Sequence, residues 1–170
     1  MMDRTMLRKL FGSFATGVTV VTAIGSDGRP VGITVNSFTS VSLDPPLLLW
    51  CLANKSASLG AFVVGASFAV HFLAADQAEV AGRFARSGID KFAGQGIARD
   101  PASAPEVPGA LARLDCRVVR LDPGGDHTII LAEMLSAQMR SGAPLVFHAS
   151  RFGRFAIDEG PATGSADPWT

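Results

Sequence analysis

Cysteine is scarce in this chain: 170 residues hold two, Cys51 and Cys116, each inside an apolar run. There is no Cys-x-x-Cys pair and the three histidines are scattered, so no structural metal is expected. Buried free thiols fit a reducing cytoplasm. Charge is also thin and balanced, with 15 Lys plus Arg against 15 Asp plus Glu. A net charge of zero argues against nucleic acid, whose binders need a basic face for phosphates. No apolar run approaches the roughly 20 residues that span a bilayer. Arg8, Lys9 and Gly12 interrupt the one segment that looks like a signal peptide, so no membrane is expected. Asn54-Lys55-Ser56 matches a glycosylation sequon, which carries no meaning without secretion. The short catalytic signatures H-E-x-x-H, G-x-S-x-G, G-x-x-x-x-G-K-[ST] and G-x-G-x-x-G are all missing. An enzyme built this way leaves the hard step to a bound organic cofactor, which the protein positions.

What is present is apolar and β-rich. Hydrophobic residues make up 48% of the chain, enough for one real core, and surface short of charge points to a homo-oligomer. Met6, Leu7, Leu10, Phe11 and Phe14 recur at helical spacing, with Asp3 as a plausible N-cap. "VTVVTAI" (18–24) and "RPVGITV" (29–35) read as strands joined by the hairpin signal "GSDG". "PLLLWCLA" (46–53) reads as a fully buried strand and "SASLGAFVVG" (56–65) as a helix near Ser56. "SFAVHFL" (67–73) is a strand and "DQAEVAGRFARSG" (76–88) a helix. Residues 91–109 form a long loop. "ARLDCRVVRL" (112–121), "HTIILAEMLSAQM" (127–139) and "PLVFHA" (144–149) complete the strands, the first two turned by "DPGGD". Residues 1–157 are expected to form one domain and 158–170 a flexible tail, with no repeat and no linker. The pattern predicts a mainly β protein, a β-barrel with short flanking helices.

One stretch carries the chemistry. "GITVNSFTSVSLDPPLLLWCL" (32–52) sets Thr34, Asn36, Ser37, Thr39, Ser40 and Ser42 between two core strands, ahead of a rigid Asp44-Pro45-Pro46 corner. Alternation sends Thr34, Asn36 and Phe38 to one face and Val35, Ser37 and Thr39 to the other. Amides, hydroxyls and strand-end backbone groups suit the rim of a planar heterocycle. Just beyond, "ANKSAS" puts Lys55, Ser56 and Ser58 at the start of the predicted helix. A cation, hydroxyls and free helix N–H groups together suit a phosphate.

With these segments in view, the chain resembles the flavin reductase-like family of the FMN-binding split-barrel fold. Its best-known members are the reductase components of two-component flavin-dependent monooxygenases. The likeness rests on "FATGVTVVT" (14–22), the 32–52 stretch, "NKSAS" (54–58), "FAVHFLAADQAEVAGRFA" (68–85), "DKF" (90–92), "LDCRVV" (114–119), "GDHTIILAEM" (125–134) and "PLVFHASRFGRF" (144–155). It spans nearly all of the chain from Leu7 to Phe155. The resemblance implies an antiparallel Greek-key split barrel, a homodimer, and one FMN or FAD per subunit. It also implies hydride transfer from NADH or NADPH and supply of reduced flavin to a separate monooxygenase component. In such proteins the isoalloxazine lies against the strand of "TVNSFTS" and the turn before "DPP". That brings in Thr34, Asn36, Ser37, Ser40, Ser42 and Asp44, with Cys51 at the flavin edge. Lys55, Ser56 and Ser58 fall near the phosphate, Ala75 and Gln77 on the next loop, and Arg83, Phe84, Lys91 and Phe92 around the pocket. His127 in "GDH" resembles the histidine beside the nicotinamide. Where relatives often carry a tyrosine, this chain has Phe152 and no tyrosine anywhere, so stacking survives and a hydroxyl contact does not.

Plainer readings stand beside these. Ser56 can simply cap its helix, and Lys55 taken singly reads as a solvated surface lysine. His127 also reads as a turn residue satisfied by Asp126, and His71 as a satisfied core or interface group. The main alternative function is a non-catalytic flavin- or haem-binding module on the same barrel. A pyridoxamine-phosphate oxidase-like enzyme would want a second basic cluster, which is missing.

Overall fold

The computed structural model describes residues 3–94 and 103–156. The predicted tail, and residues 95–102 of the predicted long loop, lie outside the described residues. The chain opens with helix α1 (Arg4–Gly12) and strand β1 (Thr16–Gly17), followed by β2 (Thr19–Ile24) and β3 (Pro30–Val35). Strands β4 (Thr39–Leu43) and β5 (Pro46–Ala53), a 3₁₀ turn (Leu59–Ala61), β6 (Ser67–Phe72) and helix α2 (Ala78–Ala85) come next. The long strands β7 (Ala112–Gly124) and β8 (His127–Met139), then β9 (Leu145–His148) and β10 (Arg151–Arg154), complete it.

Seven strands form one antiparallel sheet in the order β3-β2-β6-β7-β8-β5-β4, and β1-β9-β10 form a small second sheet. β3 and β4 occupy opposite edges of the large sheet, yet only residues 36–38 separate them. Four Cα steps reach at most roughly 14 Å. The sheet must therefore curl until its edges nearly meet, which makes it a split barrel with an opening at residues 36–38. The predicted single strand through "GITVNSFTS" is thus two strands. Pairing with β2 stops at Val35, and pairing with β5 starts at Thr39.

Burial fixes the inside. On β5, Leu48, Trp50 and Leu52 are buried while Leu47, Leu49, Cys51 and Ala53 are half-buried, so this strand alternates instead of being buried on both faces. Trp50 packs edge-on against Phe62 at 4.9 Å, with Phe68 at 6.0 Å. A second cluster (Val18, Val20, Leu73, Ala81, Phe84, Phe92, Leu145) seats α2 on the outer face. The predicted helix at 56–65 shrinks to the three-residue 3₁₀ turn. Gly60, Gly65 and the β-branched pair Val63-Val64 weaken helix there, and burying Phe62 against Trp50 directs the chain inward.

Candidate functional site

The barrel opening is a cleft of about 780 Å³, within the roughly 300–1,000 Å³ typical of small-molecule sites. Its floor is the end of β3 and the crossover, Ile33 to Ser37. One wall is Cys51 to Ala53 and the turn Lys55 to Ser58. The other is the C-terminal end of α2 with Ser87, Gly88 and Lys91, and His127 stands at the rim. The lining has two lysines and no carboxylate. The lining itself therefore sets positive and not negative side chains against an anionic ligand.

Several polar side chains are already spent on building the walls. The Thr34 hydroxyl donates to the Ala81 carbonyl at 2.6 Å, tying β3 to α2. The Ser37 hydroxyl accepts from the Cys51 N–H at 2.9 Å and donates to the Cys51 carbonyl at 3.3 Å, pinning the crossover to β5. Lys91 donates to the carbonyls of Gly32 (2.8 Å) and Phe84 (2.9 Å), which leaves one of its three protons for the cleft. Burial pushes its ammonium pKa below the ordinary lysine range. Asn36 and Lys55 are exposed, and the Ser56 hydroxyl accepts from the Ser58 N–H at 3.3 Å. A three-residue 3₁₀ turn has no useful dipole. Attraction for an anion at this end therefore rests on Lys55 and the hydroxyls, and Ser56 caps no α-helix.

The cleft brings together Thr34, Asn36, Ser37, Cys51, Lys55, Ser56, Ser58, Phe84, Lys91 and His127. Other expected positions lie elsewhere. Ser40 and Ser42 sit on β4 and Asp44 just after it, away from the lining. Ala75 hydrogen-bonds through its N–H to Ala143 (2.9 Å). Gln77 is buried, accepting from the Ala74 N–H (3.0 Å) and donating to the Pro108 carbonyl (2.8 Å). Arg83 points out of α2 to the Ala93 carbonyl at 3.2 Å. Phe92 backs the wall from behind, edge-on to Phe84 at 5.2 Å. Phe152 lies on β10 against Phe147 at 5.5 Å, outside the cleft. Sequence reasoning missed Ser87 and Gly88, which carry no motif, and Asn54, which it met only as part of a sequon.

Asn54 fastens the His127 turn to the end of β5. Its N–H donates to the Asp126 carbonyl (3.0 Å) and its side-chain amide to the Gly125 carbonyl (3.0 Å). Thr128 donates to the Asn54 side-chain oxygen at 2.9 Å. His127 Nδ1 lies 2.7 Å from Asp126 Oδ1, so its turn-residue reading is realised while the ring still lines the cleft. His71 is fully buried on β6. Its Nδ1 donates to the Val20 carbonyl at 3.2 Å, but Nε2 has no partner, so this core histidine is only half satisfied. Among the described residues, no group of three or more His, Cys, Asp or Glu is placed to hold a metal. No helix among them is long and apolar enough to cross a membrane. Both cysteines are free, and burial pushes the Cys116 thiol up to about 12.

Residues 11–156 match the flavin reductase like domain, and the chain belongs to that family. It is 48% identical over 88% of its length to the FMN reductase (NADH) SmoA of Agrobacterium fabrum, covering 84% of that protein. It is 40% identical to the reductase component of a 4-nitrophenol monooxygenase of Rhodococcus opacus, over 91% of this chain and 82% of that one. Among solved structures, the NADH:FAD oxidoreductase SgcE6 of Streptomyces globisporus, in complex with NAD and FAD fragments, superposes with a TM-score of 0.84 at 43% identity. That match covers 92% of this chain and 95% of that one.

Proposed function

We propose that this protein is an NAD(P)H:flavin oxidoreductase that reduces FMN or FAD and supplies it to a separate monooxygenase component. The observation that carries the reading is the carboxylate-free cleft at the barrel opening, with Lys55 at one end and His127 at the rim. The relatives named above, called NADH-dependent flavin reductases and a monooxygenase reductase component, support it.

The cleft fits a flavin in volume and charge. When bound there, flavin supplies a ring system that accepts a hydride from the reduced dinucleotide. The chain's own residues bind and orient. Asn36 offers an exposed amide at the crossover, and Lys55 with the hydroxyls of Ser56 and Ser58 holds the phosphate. Lys91, Thr34 and Ser37 keep both walls in place, and His127 positions the dinucleotide. Holding two ring systems at reactive distance needs no strong acid or base from the protein. Residues 1–157 act as one reductase unit, and two unpaired thiols fit a cytoplasmic location.

A homodimer accompanies this reading. α1 buries none of its residues although it carries Met6, Leu10 and Phe11, and Leu43 on the exposed edge strand β4 is 73% accessible. A second copy would cover such surface. Light scattering is expected to give twice the 17.7 kDa chain mass.

Purified protein is expected to oxidise NADH or NADPH only when FMN or FAD is added. Flavin binding without turnover on either dinucleotide would identify a non-catalytic module instead. Lys55→Ala is expected to weaken FMN binding about fivefold, as for one exposed charge contact, and to leave riboflavin unchanged. Equal losses for both flavins in fluorescence titrations would remove Lys55 from the phosphate. His127→Ala is expected to cut turnover with flavin affinity retained.

A further inference from the structure

The turn that presents His127 has only Gly125 and Asp126 between the paired residues Gly124 and His127. The ring lies beside Asp126, with 2.7 Å between Nδ1 and Oδ1. A carboxylate can only accept, so Nδ1 carries the hydrogen. The hydrogen bond from His127 is also the main reason the Asp126 carboxyl is held below the usual range, with Arg4 of α1 adding charge 3.5 Å from its other oxygen. Asn54, itself held by Thr128, fastens the backbone of the turn through the Gly125 and Asp126 carbonyls. With Nδ1 committed, Nε2 is the nitrogen left for a molecule in the cleft, and in this tautomer it is a lone-pair acceptor. The charged groups lining the cleft, Lys55 and Lys91, are donors only and cannot take its place.

We infer that Asp126 is a positioning residue that fixes the His127 tautomer, so that Nε2 accepts a hydrogen bond from the carboxamide N–H of a reduced nicotinamide dinucleotide. The inference rests on the reductase reading above. It adds a selectivity: a 3-carboxamide ring is preferred over a 3-acetyl ring, which has the same carbonyl and no N–H. Asp126→Asn tests it, because the asparagine amide can donate to Nδ1 and push the hydrogen to Nε2, turning the acceptor into a donor.

Two measurements decide. In ¹⁵N-histidine spectra of the flavin-free protein, His127 is expected to carry its hydrogen on Nδ1 in the wild type and to shift toward Nε2 in Asp126→Asn. In steady-state assays, Asp126→Asn is expected to raise the KM for the reduced dinucleotide about tenfold, the worth of one good hydrogen bond. Its kcat changes little, and its KM for the reduced 3-acetylpyridine analogue does not rise, because that ring has no N–H contact to lose. His127→Ala loses the same discrimination, adding Asp126→Asn to it costs nothing more, and His127→Gln restores part of it through its amide oxygen. A wild-type hydrogen on Nε2, or unchanged KM and discrimination in Asp126→Asn, overturns the inference while the reductase reading stands. A wild type that oxidises neither dinucleotide with any flavin overturns both.

Discussion

Gly32→Val is expected to lose about 3 kcal/mol of stability, the upper part of the usual overpacking range, and to lower Tm by about 10 °C. Gly32 is buried on β3 directly under the cleft wall. A Cβ built there would meet the Phe84 ring at 2.4 Å and 2.6 Å and the Phe92 ring at 3.0 Å. Neither ring can retreat: both are buried and packed edge-on against each other, in the cluster that seats α2. The added bulk therefore pushes α2 outward. That motion breaks the Thr34 bond to Ala81 and the Lys91 bridge between Gly32 and Phe84. Flavin affinity is expected to fall together with stability. Calorimetry and flavin titration of Gly32→Val, with Phe84→Ala added as a partial rescue, check this. A Gly32→Val protein that keeps its Tm would show that the wall is not packed as described.

Acid is expected to weaken the fold through His71. Burial on β6 lowers its pKa to about 4 from the model-peptide value of 6.5, with the bond to Val20 opposing and Arg113 adding to the fall. The unfolded chain thus binds this proton at a higher pH than the folded one. Stability contributed by the neutral ring is fully present above 6.5, declines as pH falls, and is exhausted near 4. The fall from 6.5 to about 4 corresponds to about 3 kcal/mol. Its cause is concrete: a proton on Nε2 would sit without a partner beside the Arg113 guanidinium. His71→Leu loses the hydrogen bond to Val20 and about 1 kcal/mol at pH 7. Its denaturant midpoint is nevertheless expected to change far less than wild type between pH 6.5 and 4.5. Equal slopes for the two proteins would clear His71 of the effect.

Gly32 and His71 show where sequence reading ends. Both stand in strands recognised in the sequence, and nothing beside either residue announces its role. The glycine matters because Phe84 and Phe92, more than 50 positions away, close over it. His71 matters because strand pairing puts Val20 on one side and Arg113 on the other. The stretch of Thr34, Asn36 and Ser37 and the Lys55–Ser58 turn stood out in the sequence as candidate binding elements because small polar residues cluster there between core strands. The "GDH" turn stood out only through the family resemblance. The individual duties of these residues did not. Thr34 and Ser37 look like ligand contacts in sequence, but the Thr34 hydroxyl ties β3 to α2 and the Ser37 hydroxyl ties the crossover to β5. Arg83, Gln77, Phe92 and Phe152 share the right segments yet face away from the cleft. Facing is set by helix rotation and strand pairing, which neighbouring letters do not encode.

The chain's letters alone determined the β-rich class, most of the strands, the lack of metal and catalytic signatures, and the family resemblance, since each depends on local spacing or short motifs. Only the folded molecule decided that the alternating "GITVNSFTS" stretch breaks at 36–38, that the predicted 56–65 helix is one 3₁₀ turn, and that Asn54 holds the turn bearing His127. Each is an agreement between distant segments. A seven-strand sheet joined edge to edge by three residues has to curl, and the burial of Phe62 against Trp50, added to the poor helix formers around it, leaves a single 3₁₀ turn.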